Sequence, residues 1–259
     1  MIPLDLCEWS PIRAGESGDA VYRRSDAAAF AKVAGPGRAA ELRGERDRLL
    51  WLEKQDIPCP RVLDWQEAGT YLVTSAIPGL PASELTGDDL VAAWPSIVAM
   101  VATLHCLDPL SCPFERRLGP MLKRARDVVA RGAVNPDFLP DEDRAVRPTT
   151  LLARVESELP IRLEDEAREM VVCHGDATMP NLMVEPGTLR CTGFVDLGRL
   201  GTADPYADLA LMLANASEAW TSEAQARHAF DALFRGLGID RPDRGRLDFY
   251  LRLDPLTWG

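Results

Sequence analysis

Hydrophobic and polar positions divide this chain of 259 residues into two stretches with different periods. In the first eighty residues, short apolar runs alternate with charged and turn-forming residues. Ala20–Arg24 and residues 28–33 are extended runs separated by Ser25-Asp26, which suits a tight turn. Over residues 38–54 the period changes. Leu42, Leu49 and Leu52 fall at helix-compatible spacing among charges, and Pro58 and Pro60 close the segment. Val62–Gln66 and residues 71–74 read as a second strand pair across Glu67-Ala68-Gly69. Pro78-Gly79-Leu80-Pro81 then breaks the pattern, as a linker or hinge does.

The remainder has mostly helical period. Thr86 is placed to cap a helix reaching about Cys106, with Asp88 and Asp89 in its first turn. Pro95 inside that span predicts a kink or a later start. Further helices are expected at about 114–131, 149–158, 205–219, 222–236 and 243–253. A β-rich island interrupts them: residues 170–173, then 182–184 and 191–195 around the hairpin material Glu185-Pro186-Gly187. The expected fold is therefore α+β. A small sheet lobe over 1–77 leads through a linker to a mostly helical lobe over 78–259, and binding sites often lie between such lobes.

Composition adds limits. With 46% hydrophobic and 27% charged residues, the chain is an ordinary folding sequence without low-complexity tracts. A formal net charge of −11 argues against a nucleic-acid partner and suits a cationic one. The charge is uneven: residues 1–80 hold 10 basic and 12 acidic side chains, net −2, and residues 81–259 hold 19 and 28, net −9. Six cysteines without a Cys-x-x-Cys pair require no disulfide framework, and three scattered histidines offer no zinc spacing. The uncharged stretch 90–107 contains Pro95, Ser96, Thr103 and His105, so a buried helix is expected rather than a membrane span. No signal-peptide pattern opens the chain, and together these points favour the cytoplasm; a monomer is favoured.

The candidate chemistry is phosphoryl transfer. His174-Gly175-Asp176 follows a strand, Asn181 comes five residues later, and Asp196-Leu197-Gly198 ends the next hairpin. Transfer needs a carboxylate for the attacking hydroxyl, hard oxygen ligands for Mg²⁺ and a cation on the nucleotide phosphates. Asp176 fits the first need, and Asn181 and Asp196 fit the second. A lone Asp-Gly or Asp-Leu-Gly is usually a turn; both in this order, after a sheet-then-helix layout, point to a kinase-like site. Lys32 closes the third strand and fits the third need, with Glu45 on the following helix as its partner and Glu41 as the alternative. The segment Gly15-Glu16-Ser17-Gly18-Asp19 is expected to turn over the phosphates, with Ser17 and Gly18 at its centre. Ser75, Ala76 and Ile77 would offer backbone groups to adenine. His174 reads as a hydrogen-bonded scaffold residue, and without a Gly-x-Ser-x-Gly elbow nothing supports a serine hydrolase.

These residues resemble the aminoglycoside phosphotransferase family. The resemblance is carried by His174-Gly-Asp176-x4-Asn181, Asp196-Leu-Gly198, Glu45 with Leu49-Leu50-Trp51-Leu52, and Asp204 with Tyr206-Ala207-Asp208-Leu209-Ala210. It covers essentially the whole chain. Val171 to Asp176, Asn135 to Asp143 and Arg252 to Gly259 look most like the streptomycin 3″-phosphotransferases within the family. The resemblance implies a protein-kinase-like bilobal fold with a small antiparallel-sheet N-lobe. It also implies ATP and Mg²⁺ as cofactors, Asp176 as base, Asn181 and Asp196 as metal ligands, and Lys32 with Glu45 on the nucleotide. Asp208 would brace the loop without binding metal, and Asp254 would contact the aminoglycoside. Related kanamycin and neomycin kinases carry an acid in the stretch that here reads Ala177-Thr178-Met179-Pro180. That departure argues for a different antibiotic, and the resemblance implies streptomycin, phosphorylated at its 3″-hydroxyl. Its guanidinium groups suit carboxylates, with Asp254 and some of Asp137, Asp141, Glu142 and Asp143 as candidates; the 137–143 group reads rather more readily as a solvated loop held by two prolines. The alternatives are another aminoglycoside, a small amino alcohol, or a kinase-like binding module.

Overall fold

The computed structural model describes residues 8–12, 18–66 and 71–259. The chain forms two compact units. The first comprises residues 1–82 with 180–199, and the second comprises residues 83–179 with 200–259.

The first unit is built on a five-stranded antiparallel sheet of order β1-β2-β3-β5-β4. Its strands are β1 (Trp9–Ile12), β2 (Ala20–Arg24), β3 (Ala29–Val33), β4 (Val62–Gln66) and β5 (Tyr71–Ser75). Side chains alternate across β3. Ala29 and Ala31 are fully buried with Tyr71 and Val73, and Lys32 belongs to the opposite face. Helix α1 (Ala39–Leu52) buries Leu42, Leu49 and Leu52, the three positions its period singled out. It ends before Pro58: a 3-10 turn over Glu53–Gln55 leads to Asp56 in a left-handed conformation at φ 56°. The unit is completed by β6 (Leu80–Pro81), β8 (Leu182–Glu185) and β9 (Arg190–Phe194), paired in the order β6-β8-β9. Strands β1 and β6 escape the sequence pattern because four and two residues are too short to show an alternation.

The second unit is mainly helical. It contains α2 (Gly87–His105), α3 (Leu118–Ala130), α4 (Pro148–Glu169), α5 (Tyr206–Ala216), α6 (Glu223–Gly236) and α7 (Arg244–Leu253). Thr86 caps α2 as expected, its hydroxyl accepting the Asp89 N–H at 3.2 Å. By length and composition α2 is the one described helix able to cross a membrane, yet Leu90, Ala93, Trp94, Ile97, Val98, Val101 and Leu104 on it are buried in the protein. Trp94 donates to Ala229 O on α6 at 2.9 Å.

Two prolines correct the expected helix limits. The helix predicted at about 149–158 continues through Pro160 to Glu169, and α2 runs unbroken through Pro95. Both prolines are exposed, where water can take the carbonyl that a missing N–H leaves unpaired. Beyond Pro160, burial of Arg162, Asp165 and Glu166 holds the helix. Strand β7 (Val171–Cys173) pairs antiparallel with β10 (Gly201–Ala203), a three-residue partner too short to see in sequence.

Candidate active site

In the first unit, β3 and α1 bring Lys32 and Glu45 together. The Lys32 ammonium donates to both Glu45 oxygens, at 2.9 and 2.8 Å, and to Asp196 Oδ1 at 3.1 Å. Glu45, rather than Glu41, is thus the partner; Glu41 pairs with Arg38. Burial works against the Lys32 charge, but Glu45 and Asp196 outweigh it and raise its pKa above the ordinary lysine value. Burial likewise raises Glu45, against the pull of the ammonium. Asp196 follows β9 with φ 55°, a left-handed conformation that aspartate tolerates better than most residues. Its side chain remains 45% exposed.

Asn181 and Asp196 lie at the open end of the β8–β9 hairpin. Leu182 pairs with Phe194, and the Val195 N–H donates to Asn181 O at 3.0 Å, so the two residues flank one closed rung. An amide oxygen and a carboxylate are the hard donors that magnesium takes.

A cavity of about 720 Å³ opens beside the linker, lined by Ala28, Pro58, Ser75, Ile77, Pro78 and Thr192 among others. Ser75 is the last residue of β5 rather than the first of the linker. Its N–H donates to Arg61 O and its hydroxyl accepts the Arg61 N–H, both at 2.9 Å. The Ala76 N–H donates to Ala28 O. The Ile77 N–H has no partner among the described residues and belongs to a residue that lines the cavity. Ser17 lies outside the described residues. Gly18 precedes Asp19, whose nearly buried carboxylate accepts from Gly35 N and Arg38 Nε, both at 2.9 Å. That brace ties the foot of the expected phosphate turn to the segment joining β3 and α1.

In the second unit, Asp176 stands in the loop after β7, and the backbone of that loop is anchored throughout. Asp208 on α5 is fully buried and accepts the N–H groups of His174 and Gly175, each at 2.8 Å. His105 Nε2 meets the same carboxylate at 3.0 Å. Burial raises the Asp208 pKa, yet the His105 bond and the loop's hydrogen bonds prevail and hold it below the ordinary value. His174 is a buried scaffold residue whose Nδ1 accepts the Asp176 N–H at 3.2 Å. The loop closes with Thr178 N to Asp176 O and Met179 N to Asn215 Oδ1, both at 2.8 Å. Asp176 itself is half-buried.

Asp254 lies elsewhere in this unit, buried, with Arg116 at 3.0 Å and Trp258 Nε1 at 2.9 Å. Of the 137–143 acids, Asp143 is buried against Arg154 and Asp141 pairs with Arg144 on the surface.

Residues 8–250 match the profile of the phosphotransferase enzyme family. The chain is 52% identical over 254 residues to a streptomycin 3″-kinase of Streptomyces griseus, an alignment covering 97% of this chain and 93% of that protein. The chain belongs to the aminoglycoside phosphotransferase family. Another member, the aminoglycoside 3′-phosphotransferase of Streptomyces fradiae, is 35% identical over 95% of this chain and 94% of its own. The fold matches as well. The aminoglycoside phosphotransferase APH(3″)-Id of Streptomyces rimosus, solved with ADP and streptomycin, superposes with a TM-score of 0.91 at 50% identity, over 97% of this chain and 93% of that one. The expected kinase-like α+β fold is therefore the observed one.

Three groups of this phosphotransferase escaped sequence reasoning. Asp19 and Arg38 are separated by nineteen positions, and His105 reaches Asp208 across 103. Only the place of Asp19 at the end of the expected glycine turn hinted at a role. Nothing local marks His105, the last residue of α2.

Proposed function

We propose that this chain transfers the γ-phosphoryl group of ATP to the 3″-hydroxyl of streptomycin. The observation that carries phosphoryl transfer is the Lys32 ammonium held between Glu45 and Asp196, a fixed cation beside a carboxylate at the mouth of a hairpin that also bears Asn181. The acceptor is inferred from the streptomycin kinase that shares half of its residues with this chain.

In this reading residues 1–77 handle the nucleotide, and residues 78–259 supply catalysis and the acceptor site. The cavity beside the linker takes the adenine, with the Ile77 N–H as the donor to a ring nitrogen and Ser75 on the rim. Lys32 neutralises the phosphates, Glu45 fixes the ammonium, and Ser17 with Gly18 covers the phosphates from the glycine turn. Asn181 and Asp196 would hold magnesium, which when bound offsets charge on the phosphates. Asp176 accepts the proton of the 3″-hydroxyl as its oxygen attacks the γ-phosphorus, and ADP leaves from the opposite side. The bond to the bridging oxygen breaks as the new P–O bond forms, so no phosphoenzyme is required.

Streptomycin is a strong cation, and residues 81–259 carry a net charge of −9. Long-range attraction toward that half of the chain favours encounter. Asp254 would act on the acceptor through the residues it holds, since Arg116 and Trp258 already occupy its oxygens. The reaction needs ATP and magnesium, as the cytoplasm supplies, and every group named here comes from one chain, so a monomer suffices. It calls on no nucleic acid and no membrane.

The test is incubation with ATP, Mg²⁺ and streptomycin, with kanamycin and choline as comparison acceptors. Mass spectrometry should find streptomycin carrying one phosphoryl group, and NMR should place it on the 3″-oxygen. Phosphorylation of another acceptor in preference, or at another hydroxyl, overturns the assignment.

A further inference from the structure

The β8–β9 hairpin carries one extra residue on its second strand. Met183 pairs with Gly193 and Val184 with Cys191, which leaves Thr192 without a partner across the ladder. A bulge of this kind bends its strand and re-aims the side chain it frees. Here the freed side chain points at the linker, and Thr192 Oγ1 donates to Pro78 O at 2.5 Å.

The surrounding backbone is fitted to that contact. A Cβ on Gly79, at φ +108°, would stand 2.4 Å from Val184 O. A Cβ on Gly193, at φ +154°, would stand 2.6 Å from Pro58 O. Only glycine combines those conformations with such close approach. The Phe194 N–H donates to the same Pro58 carbonyl at 3.0 Å, and Leu80 pairs with Val184. The linker is therefore stitched along the hairpin. Thr192, Pro58 and Pro78 also line the 720 Å³ cavity, and the same hairpin ends at Asn181 and Asp196.

We infer that Thr192 is a positioning residue that keeps the base cavity in register with the metal-binding end of the hairpin. It touches neither metal nor phosphate and acts through the Pro78 carbonyl. Pro78 has no N–H of its own, so this hydroxyl is what ties residue 78 to β9, beside the β6–β8 pairing that begins at Leu80. With the restraint in place, a base seated in the cavity delivers its phosphates at a set distance from Asn181 and Asp196. Small misplacements in such a chain of contacts are costly to function. The inference rests on the nucleotide reading of this cavity given above.

The test is calorimetric titration of ATP with and without Mg²⁺. Wild type should bind ATP more tightly with the metal. In Thr192→Val, which keeps the shape and removes the donor, that metal-dependent gain should fall about three- to tenfold. Thr192→Ser should restore the gain, and melting temperatures report folding of each variant. If the valine variant does not fold, Thr192→Ala removes the hydroxyl without placing a methyl against Pro78. A removal variant that keeps the full gain, a serine variant that loses as much as valine, or a wild type indifferent to magnesium each overturns the inference. These are binding readouts, so a chain that binds Mg-ATP but leaves streptomycin unmodified fails the functional proposal and leaves this test standing.

Discussion

The Lys32 cluster of the first unit and the Asp176 loop of the second hold functional groups by opposite means. Around Lys32 the charged side chains satisfy one another directly, since one ammonium serves Glu45 and Asp196. Around Asp176 the support passes through backbone: Asp208 accepts two N–H groups of the loop, and His174 accepts a third. The first arrangement is exchangeable. A phosphate or metal can replace a side-chain partner without disturbing the chain path. The second is a scaffold, in which the brace is fully buried and the group it positions is not part of it. In the proposed reading, a cation that must follow a ligand's charge is well served by the former, and a base that must wait at one spot for a hydroxyl by the latter.

The largest expected break in this contrast comes from Asp176→Asn. It removes the proposed proton acceptor and leaves the loop's backbone bonds in place. Turnover should fall by a factor of about 10²–10⁴, while ATP affinity measured by calorimetry stays close to wild type. A near-normal rate would remove Asp176 from the mechanism.

Asp208→Ala attacks the scaffold instead. It leaves the His174 and Gly175 N–H groups buried and unpaired, and urea denaturation should show a loss of about 3–5 kcal/mol. Hydrogen exchange should accelerate at His174 and Gly175 and stay slow in β3. The pH dependence has a definite sign. Because the folded-state pKa of Asp208 lies below the ordinary 3.8, its stabilisation is complete above that pH and disappears as pH falls through the folded value. The stability gap between wild type and variant should therefore close only in strong acid. A gap that persists unchanged there would contradict the brace.

Lys32→Met has the smallest expected effect and sharpens the difference. Loss of the proposed charge-assisted contact to phosphate should lower kcat/KM for ATP about 10- to 100-fold. Stability should change less than in Asp208→Ala, because Glu45, whose pKa burial already raises, can take a proton when its partner is gone. A stability loss equal to that of Asp208→Ala would show that the cluster is structural.

Much of this was legible in one dimension. The leucines at 42, 49 and 52 named the buried face of α1, and Thr86 with its two aspartates marked the start of α2. His174-Gly-Asp176-x4-Asn181 and Asp196-Leu-Gly198 are written in short local segments, because a strand end and a tight turn suffice to present those side chains. Lys32 and Glu45 are legible as a pair because a strand leads directly into a helix and the two are only thirteen positions apart.

The tertiary structure decided what local pattern cannot carry. It bound His105 to Asp208, braced Asp19 with Arg38, closed Asp254 onto Arg116 and Trp258, and carried α4 through Pro160. Each of these depends on a partner brought from far along the chain or on which face of a helix meets water. Period and propensity report how a segment prefers to fold; which buried charge finds which donor is settled only when the segments pack, because an unpaired buried charge costs more than almost any local preference can supply.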